Sequence, residues 1–194
     1  MKIAVIKYNA GNIQSVSYAL ERLGASFEVT SDAETIQTAD KVIFPGVGEA
    51  STTMRFLADK RLNSLIMRLK QPVLGVCLGM QLLCRHSEEN NTRCLGVFPI
   101  DVKKFSPEND LKVPHMGWNS LDKISGWVPS SVQGEFAYFV HSFYVPVNAW
   151  TVAETEYGIP FSAAMRKDNF FAVQFHPEKS AQTGEKILQA FLNV

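Results

Sequence analysis

Cys77 stands between glycines in Gly75-Val76-Cys77-Leu78-Gly79. The run has the form of a nucleophile elbow, with sulfur in place of the serine oxygen. Such a turn is sharp and its central residue strained, and glycine on each side removes the clashes a bulkier neighbour would make. A cysteine held there begins a helix, where the dipole and the free amides favour a thiolate. A free cysteine is also commonly a small buried hydrophobe, and this stretch alone leaves both roles open. Far downstream, Gln174-Phe175-His176-Pro177-Glu178-Lys179 carries a base and a carboxylate two residues apart, with Pro177 fixing the backbone between them. Thiol, imidazole and carboxylate are the parts of a catalytic triad. Taken singly, His176 is a hydrogen-bonded structural histidine and Glu178 a carboxylate ahead of the last helix. Together with the elbow, those separate roles lose ground.

The surrounding pattern supplies the elements that must position these groups. Residues 73–76 form an apolar run that reads as a short buried strand. A helical pattern follows, with Leu78, Leu82 and Arg85 at helix spacing. Residues 170–173 read as another buried strand leading to His176. Earlier, strands are expected at residues 3–6, 27–29 and 42–44. A helix opens at Gly11-Asn12, carries Ile13, Val16, Leu20 and Leu23 on one stripe, and ends at Gly24. One or two helices span residues 50–69. This order implies an α/β fold, with a central, mostly parallel sheet and helices on both faces. Ligands in such sheets bind beyond the carboxyl ends of the strands, where Cys77 and Pro45-Gly46-Val47-Gly48 both fall. By itself the latter is a tight turn. The second half is strand-rich, at residues 97–105, 137–145, 151–156, 161–165 and 170–175, and reads as an antiparallel extension of the sheet. Residues 105–114 read as a surface loop, and a last helix covers residues 181–192 with Ile187, Leu188 and Phe191 inward. A single domain, 1–194, is expected.

Bulk properties narrow the class. At 194 residues, 46% hydrophobic and 20% charged, the chain is long enough for a real core. A formal net charge of zero argues against a nucleic-acid or acidic-membrane surface. Three cysteines without regular spacing make no disulfide framework and fit a reducing cytoplasm. The apolar N-terminal run is too short for a signal peptide, and no run approaches the roughly 20 residues that span a bilayer. Four scattered histidines without paired spacing are poor evidence of a metal site. No phosphate-binding glycine loop of either common type occurs.

The elbow Gly75-Val76-Cys77-Leu78-Gly79-Met80-Gln81 and the segment Gln174-Phe175-His176-Pro177-Glu178-Lys179-Ser180 resemble the class I, triad-type glutamine amidotransferases. Further segments are similar to the subfamily of glutaminase subunits that serve imidazole glycerol phosphate synthesis. These are Asn9-Ala10-Gly11-Asn12, Pro45-Gly46-Val47-Gly48, Pro114-His115-Met116-Gly117-Trp118-Asn119 and Phe139-Val140-His141-Ser142-Phe143-Tyr144. The resemblance runs from about residue 3 to the end of the chain.

It implies catalytic roles for Cys77, His176 and Glu178, and an oxyanion hole from Val47, Gly48 and Leu78. It implies substrate contacts at Gly46, Gln81, Glu89, His141, Ser142 and Phe143, with Glu89 receiving the substrate amino group. Without it, Gln81 is a solvated helix residue, Glu89 an ordinary surface charge, and Trp118 and Tyr138 core aromatics. The resemblance turns Asn12, Trp118, Tyr138 and Lys179 toward a partner, a β/α-barrel cyclase joined in a heterodimer in histidine biosynthesis. No metal or organic cofactor is implied. Competing assignments are the glutaminase subunit of another synthase and a stand-alone cysteine hydrolase of γ-glutamyl compounds. The sequence departs from the family pattern at Lys7, Glu49-Ala50 and Cys84, none of them in the triad.

Overall fold

The computed structural model describes residues 1–8, 13–107 and 111–194. The segment Asn9–Asn12 therefore lies outside the described residues, and with it Asn12 as an interface residue. The first half alternates as its periodicity requires: β1 (Lys2–Ile6), α1 (Ile13–Arg22), β2 (Ser26–Thr30), α2 (Ala33–Thr38), β3 (Lys41–Phe44), α3 (Ala50–Asp59), α4 (Leu62–Ile66), β4 (Val73–Val76) and α5 (Leu78–Leu83). Then come β5 (Cys84–Ser87), β6 (Thr92–Arg93), β7 (Phe98–Lys104), β8 (His115–Ser120), β9 (Phe136–His141) and β10 (Phe143–Tyr144). The chain closes with β11 (Thr151–Tyr157), β12 (Ile159–Lys167), β13 (Phe170–Val173) and α6 (Ala181–Leu192).

The main sheet has seven strands in the order β11-β12-β13-β4-β3-β1-β2. Neighbours from β13 to β2 are all parallel, and β12 and β11 add antiparallel pairs at one edge. Its strands alternate between two cores because successive side chains point to opposite faces. Ile3, Val5, Ile43 and Leu74 face α1 and α6, packing on Val16, Leu20, Ile187 and Phe191. Ala4, Ile6, Val42 and Val73 face α2 to α5, packing on Ile36, Leu57, Ile66 and Leu82.

Four expectations change. The pattern after Cys77 does not run on as a helix to Arg85: α5 stops at Leu83, because residues 84–87 pair in parallel with β7 and Arg85 lies exposed on that strand. The strands of the second half do not all extend the main sheet. Only β11 to β13 do; β10-β7-β5-β6 form a separate sheet, and β8-β9 a two-stranded ribbon. Helix α2 is additional; Asp32 caps it, its carboxylate accepting from the Thr35 amide at 2.8 Å. Trp118 is not a core aromatic but is 53% exposed on the ribbon.

Candidate active site

The parallel register brings three strand ends together. Val42–Phe44 pairs with Val73–Gly75, and Val73–Val76 pairs with Phe170–Val173. The segment 45–48, Cys77 and His176 therefore leave the sheet side by side. The Cys77 amide extends the ladder one rung, donating to the Val173 carbonyl at 2.8 Å. Cys77 adopts φ 51° and ψ −109°. That is a strained conformation for a residue with a side chain, of the kind proteins keep at functional sites. The glycines explain how it packs. A Cβ on Gly46 would collide with the backbone of Val76, Leu78 and Gly79, and one on Gly79 with the Phe44 carbonyl. Segment 45–48 thus lies directly on the elbow.

A cavity of about 360 Å³ opens at these strand ends. It is lined by Gly46, Val47, Gly48, Cys77, Leu78, Gln81, Glu89, Pro114, Val140, His141, Ser142, Phe143 and His176. Its size suits a small-molecule ligand. Every residue singled out from the sequence for oxyanion or substrate contact is on that wall. Glu178 stands behind it, its Oε1 accepting from His176 Nδ1 at 2.8 Å, while Oε2 is buried with no partner among the described residues. A short 3-10 turn, Pro177–Lys179, holds the pair, and α6 rests on it. Gly184 permits that approach, since a Cβ there would meet the Pro177 carbonyl.

Burial pulls the His176 proton affinity down. The charge and hydrogen bond of the Cys77 sulfur, with the Glu178 carboxylate behind, outweigh it and raise the imidazole from 6.5 to about 10. Gln81 is not solvated: it is buried, and its Nε2 donates to the Phe143 carbonyl at 2.9 Å and to Gln174 Oε1 at 3.0 Å. Glu89 accepts from the Ala50 amide at 2.8 Å, and burial raises its carboxyl pKa. Glu49, one of the departures from the family pattern, caps α3 through the Ser51 and Thr52 amides and accepts from Asn90, next to Glu89. These bonds overcome its desolvation and lower its pKa to about 2. Cys84, another departure, is fully buried, and burial pushes its thiol far up.

Three residues not singled out from the sequence also meet the site. Tyr8 is buried, its hydroxyl donating to the Pro45 carbonyl and accepting from the Val47 amide. Ser180 Oγ donates to the His176 carbonyl at 2.7 Å and accepts from the Tyr138 amide at 2.9 Å. Gln174 Nε2 lies 3.7 Å from Cys77 Sγ. Gln174 had one legible signal: in extended backbone it shares a side with His176, two residues on.

Residues 4–194 match the family described as glutamine amidotransferase class-I. The chain is a class I glutamine amidotransferase. It is 59% identical over 196 residues to the imidazole glycerol phosphate synthase subunit HisH of Bacteroides thetaiotaomicron, covering all of both chains. It is 45% identical to the subunit of the same name from Idiomarina loihiensis, across 100% of this chain and 98% of that one. A solved structure titled glutamine amidotransferase superposes with a TM-score of 0.76 at 17% identity, over 98% and 97% of the two chains. That likeness speaks for the class I amidotransferase fold alone. Among the described residues no group of three or more His, Cys, Asp or Glu side chains could hold a metal ion, and no helix is long and apolar enough to cross a membrane.

Proposed function

We propose that this chain is the glutaminase subunit of an imidazole glycerol phosphate synthase. It hydrolyses glutamine to glutamate and ammonia for a partner that makes imidazole glycerol phosphate and aminoimidazole carboxamide ribotide in histidine biosynthesis. The observation that carries this is full-length identity of 59% to a relative named as that synthase subunit. The partner is a β/α-barrel cyclase, the pair a heterodimer, and the compartment the cytoplasm. The chain acts as one domain, consistent with a main sheet that takes strands from both halves.

The chemistry follows from the residues. His176 removes the Cys77 thiol proton, and the sulfur attacks the carboxamide carbon of glutamine. Amide donors at Val47 or Gly48 and at Leu78 receive the oxyanion. His176, oriented by Glu178, gives its proton to the departing ammonia, then takes one from the water that cleaves the γ-glutamyl thioester. Gly46, Gln81 and residues 141–143 hold the substrate chain, and Glu89 its ammonium group.

The outer face of the β8-β9 ribbon suits a partner. Met116, Trp118 and Phe136 are 63%, 53% and 56% exposed. Trp118 packs edge-on against Tyr138 at 6.0 Å between ring centres, and Lys179 Nζ lies 5.8 Å from that tyrosine ring. Aromatic residues and methionine are enriched at protein–protein interfaces. The ribbon is also tied to the base: the His176 amide donates to the Tyr138 carbonyl at 2.9 Å. Because the Val47 amide is held by Tyr8, the oxyanion donor must turn toward the cavity, and the flanking glycines make that turn cheap. Partner binding supplies the bias, a population shift.

Steady-state glutaminase assays of the chain alone, with the cyclase, and with cyclase plus acceptor ligand test the assignment. The expected result is slow hydrolysis alone and a rise of orders of magnitude in the complex; a shift from 1:99 to 99:1 needs about 5.5 kcal/mol of differential binding. Full activity in the isolated chain would instead mark a stand-alone hydrolase.

A further inference from the structure

Gln174 is fully buried and belongs to neither the triad nor the oxyanion segment. The orientation of its carboxamide follows from its neighbours, starting at an atom that can only accept. The Phe143 carbonyl receives Gln81 Nε2 at 2.9 Å, so the Gln81 amide nitrogen faces that way. The same nitrogen lies 3.0 Å from the Gln174 carboxamide, which must therefore present its oxygen to it. The Gln174 nitrogen is left pointing at Cys77 Sγ, 3.7 Å away. The sulfur also lies 3.9 Å from the Val140 carbonyl, toward which its proton points in the thiol form.

We propose that Gln174 is a catalytic hydrogen-bond donor to the sulfur: its amide N–H meets the negative charge left on Cys77 when the proton has gone to His176. The inference rests on the assignment of Cys77 as nucleophile and adds a second donor to its sulfur. In the step concerned, the S–H bond breaks, the proton goes to the imidazole and the electron pair stays on sulfur. The Gln174 N–H bond stays intact throughout. Once the thioester forms, the sulfur loses its charge and the contact weakens. When water cleaves the thioester, the sulfur leaves as an anion again and the donor is in place to receive it. The donor thus acts on both the attacking and the leaving sulfur. Its anchor, the Phe143 carbonyl, belongs to a residue that lines the cavity. The titratable groups around the sulfur are Tyr8 after β1, His176 with Glu178 after β13, His141 at the end of β9, and Glu89 on the cavity wall.

The test compares the parent chain with Gln174→Leu and Gln174→Glu, each in complex with the cyclase. Alkylation by iodoacetamide is followed across pH with peptide mapping at Cys77, beside glutamine-dependent and ammonia-dependent turnover. Gln174→Leu removes the donor; Gln174→Glu keeps the size and the acceptor for Gln81 and replaces the donor by an oxygen. A hydrogen bond to a charged group at this length predicts roughly tenfold slower alkylation near neutral pH for Gln174→Leu, with the profile displaced to higher pH by about one unit. The loss is larger for Gln174→Glu, and both keep ammonia-dependent turnover. A parental pH profile in both variants, or a fall in glutamine turnover with that profile unmoved, overturns the inference. Failure to alkylate Cys77 in the parent chain overturns the nucleophile assignment itself.

Discussion

Two groups of buried histidines lie within reach of one another, and the structure treats their protons in opposite ways. His176 is held protonated up to about 10. His115 and His141, on the inner face of the β8-β9 ribbon, are pushed down to about 4 and about 3. Burial pulls all three in the same direction, so burial does not distinguish them. The difference lies in what each ring meets. His176 meets a sulfur that can carry charge and, at 2.8 Å, a carboxylate. His141 Nδ1 meets the neutral Phe143 carbonyl at 2.7 Å, which fixes that nitrogen as a donor. His141 Nε2 must then accept, here from His115 Nδ1 at 3.1 Å. His115 stacks on Tyr157 at 3.9 Å and on Phe139 at 5.0 Å between ring centres. One histidine is placed to hold a proton, as its proposed role requires; the other two are held neutral as packing and hydrogen-bonding units. A count of histidines in the sequence cannot separate these roles.

The largest effect is expected at His176. His176→Ala should cost about 10² to 10⁴ in glutaminase kcat, the scale of a positioned general acid and base. Glu178→Gln should cost less than His176→Ala, since the imidazole moves the proton and the carboxylate orients it. The glutamine oxygen can still accept from His176 Nδ1, and the new NH₂ falls where Oε2 already lacks a partner among the described residues. Steady-state rates at matched stability check this; a Glu178→Gln variant more damaged than His176→Ala would exchange the importance of the two.

The neutral pair predicts a smaller effect, on stability. Both rings have native pKa values below the ordinary 6.5, so the unfolded chain binds protons that the native one refuses. Their contribution is complete above about pH 6.5 and is lost as pH falls toward 4. Removing one ring by His115→Gln should flatten the slope of unfolding free energy against pH by about 1.4 kcal/mol per unit, or less, in that window. Urea denaturation from pH 7 to 4.5 measures it. Equal slopes in parent and variant would mean that His115 protonates freely in the native state.

The same contrast explains what the sequence made legible. The elbow was readable because the strained turn demands glycine at 75 and 79, and α6 because Ile187, Leu188 and Phe191 keep helix spacing. The grouping of Cys77, His176 and Glu178 was readable because thiol, base and carboxylate announce themselves by type. Helix α2 was not, since its six residues bury only Ile36 and leave no stripe to detect. Strand β8 was hidden by reversed polarity, with His115 buried while Met116 and Trp118 face outward. The end of α5 at Leu83 depends on pairing with β7, a contact fixed by tertiary structure. Gln174 and Tyr8 act through hydrogen bonds to partners distant in sequence, and composition carries no trace of those.

Under the proposed assignment Cys77 makes the ammonia and nothing else in the synthase needs it. The most direct measurement is the turnover of Cys77→Ala in complex with the cyclase, once with glutamine and once with added ammonia. Glutamine-dependent synthesis should fall to background while ammonia-dependent synthesis stays at the parental rate. Retained glutamine-dependent synthesis in this variant would contradict the assignment of the nucleophile, and equal loss of both activities would contradict the division of labour between the two subunits.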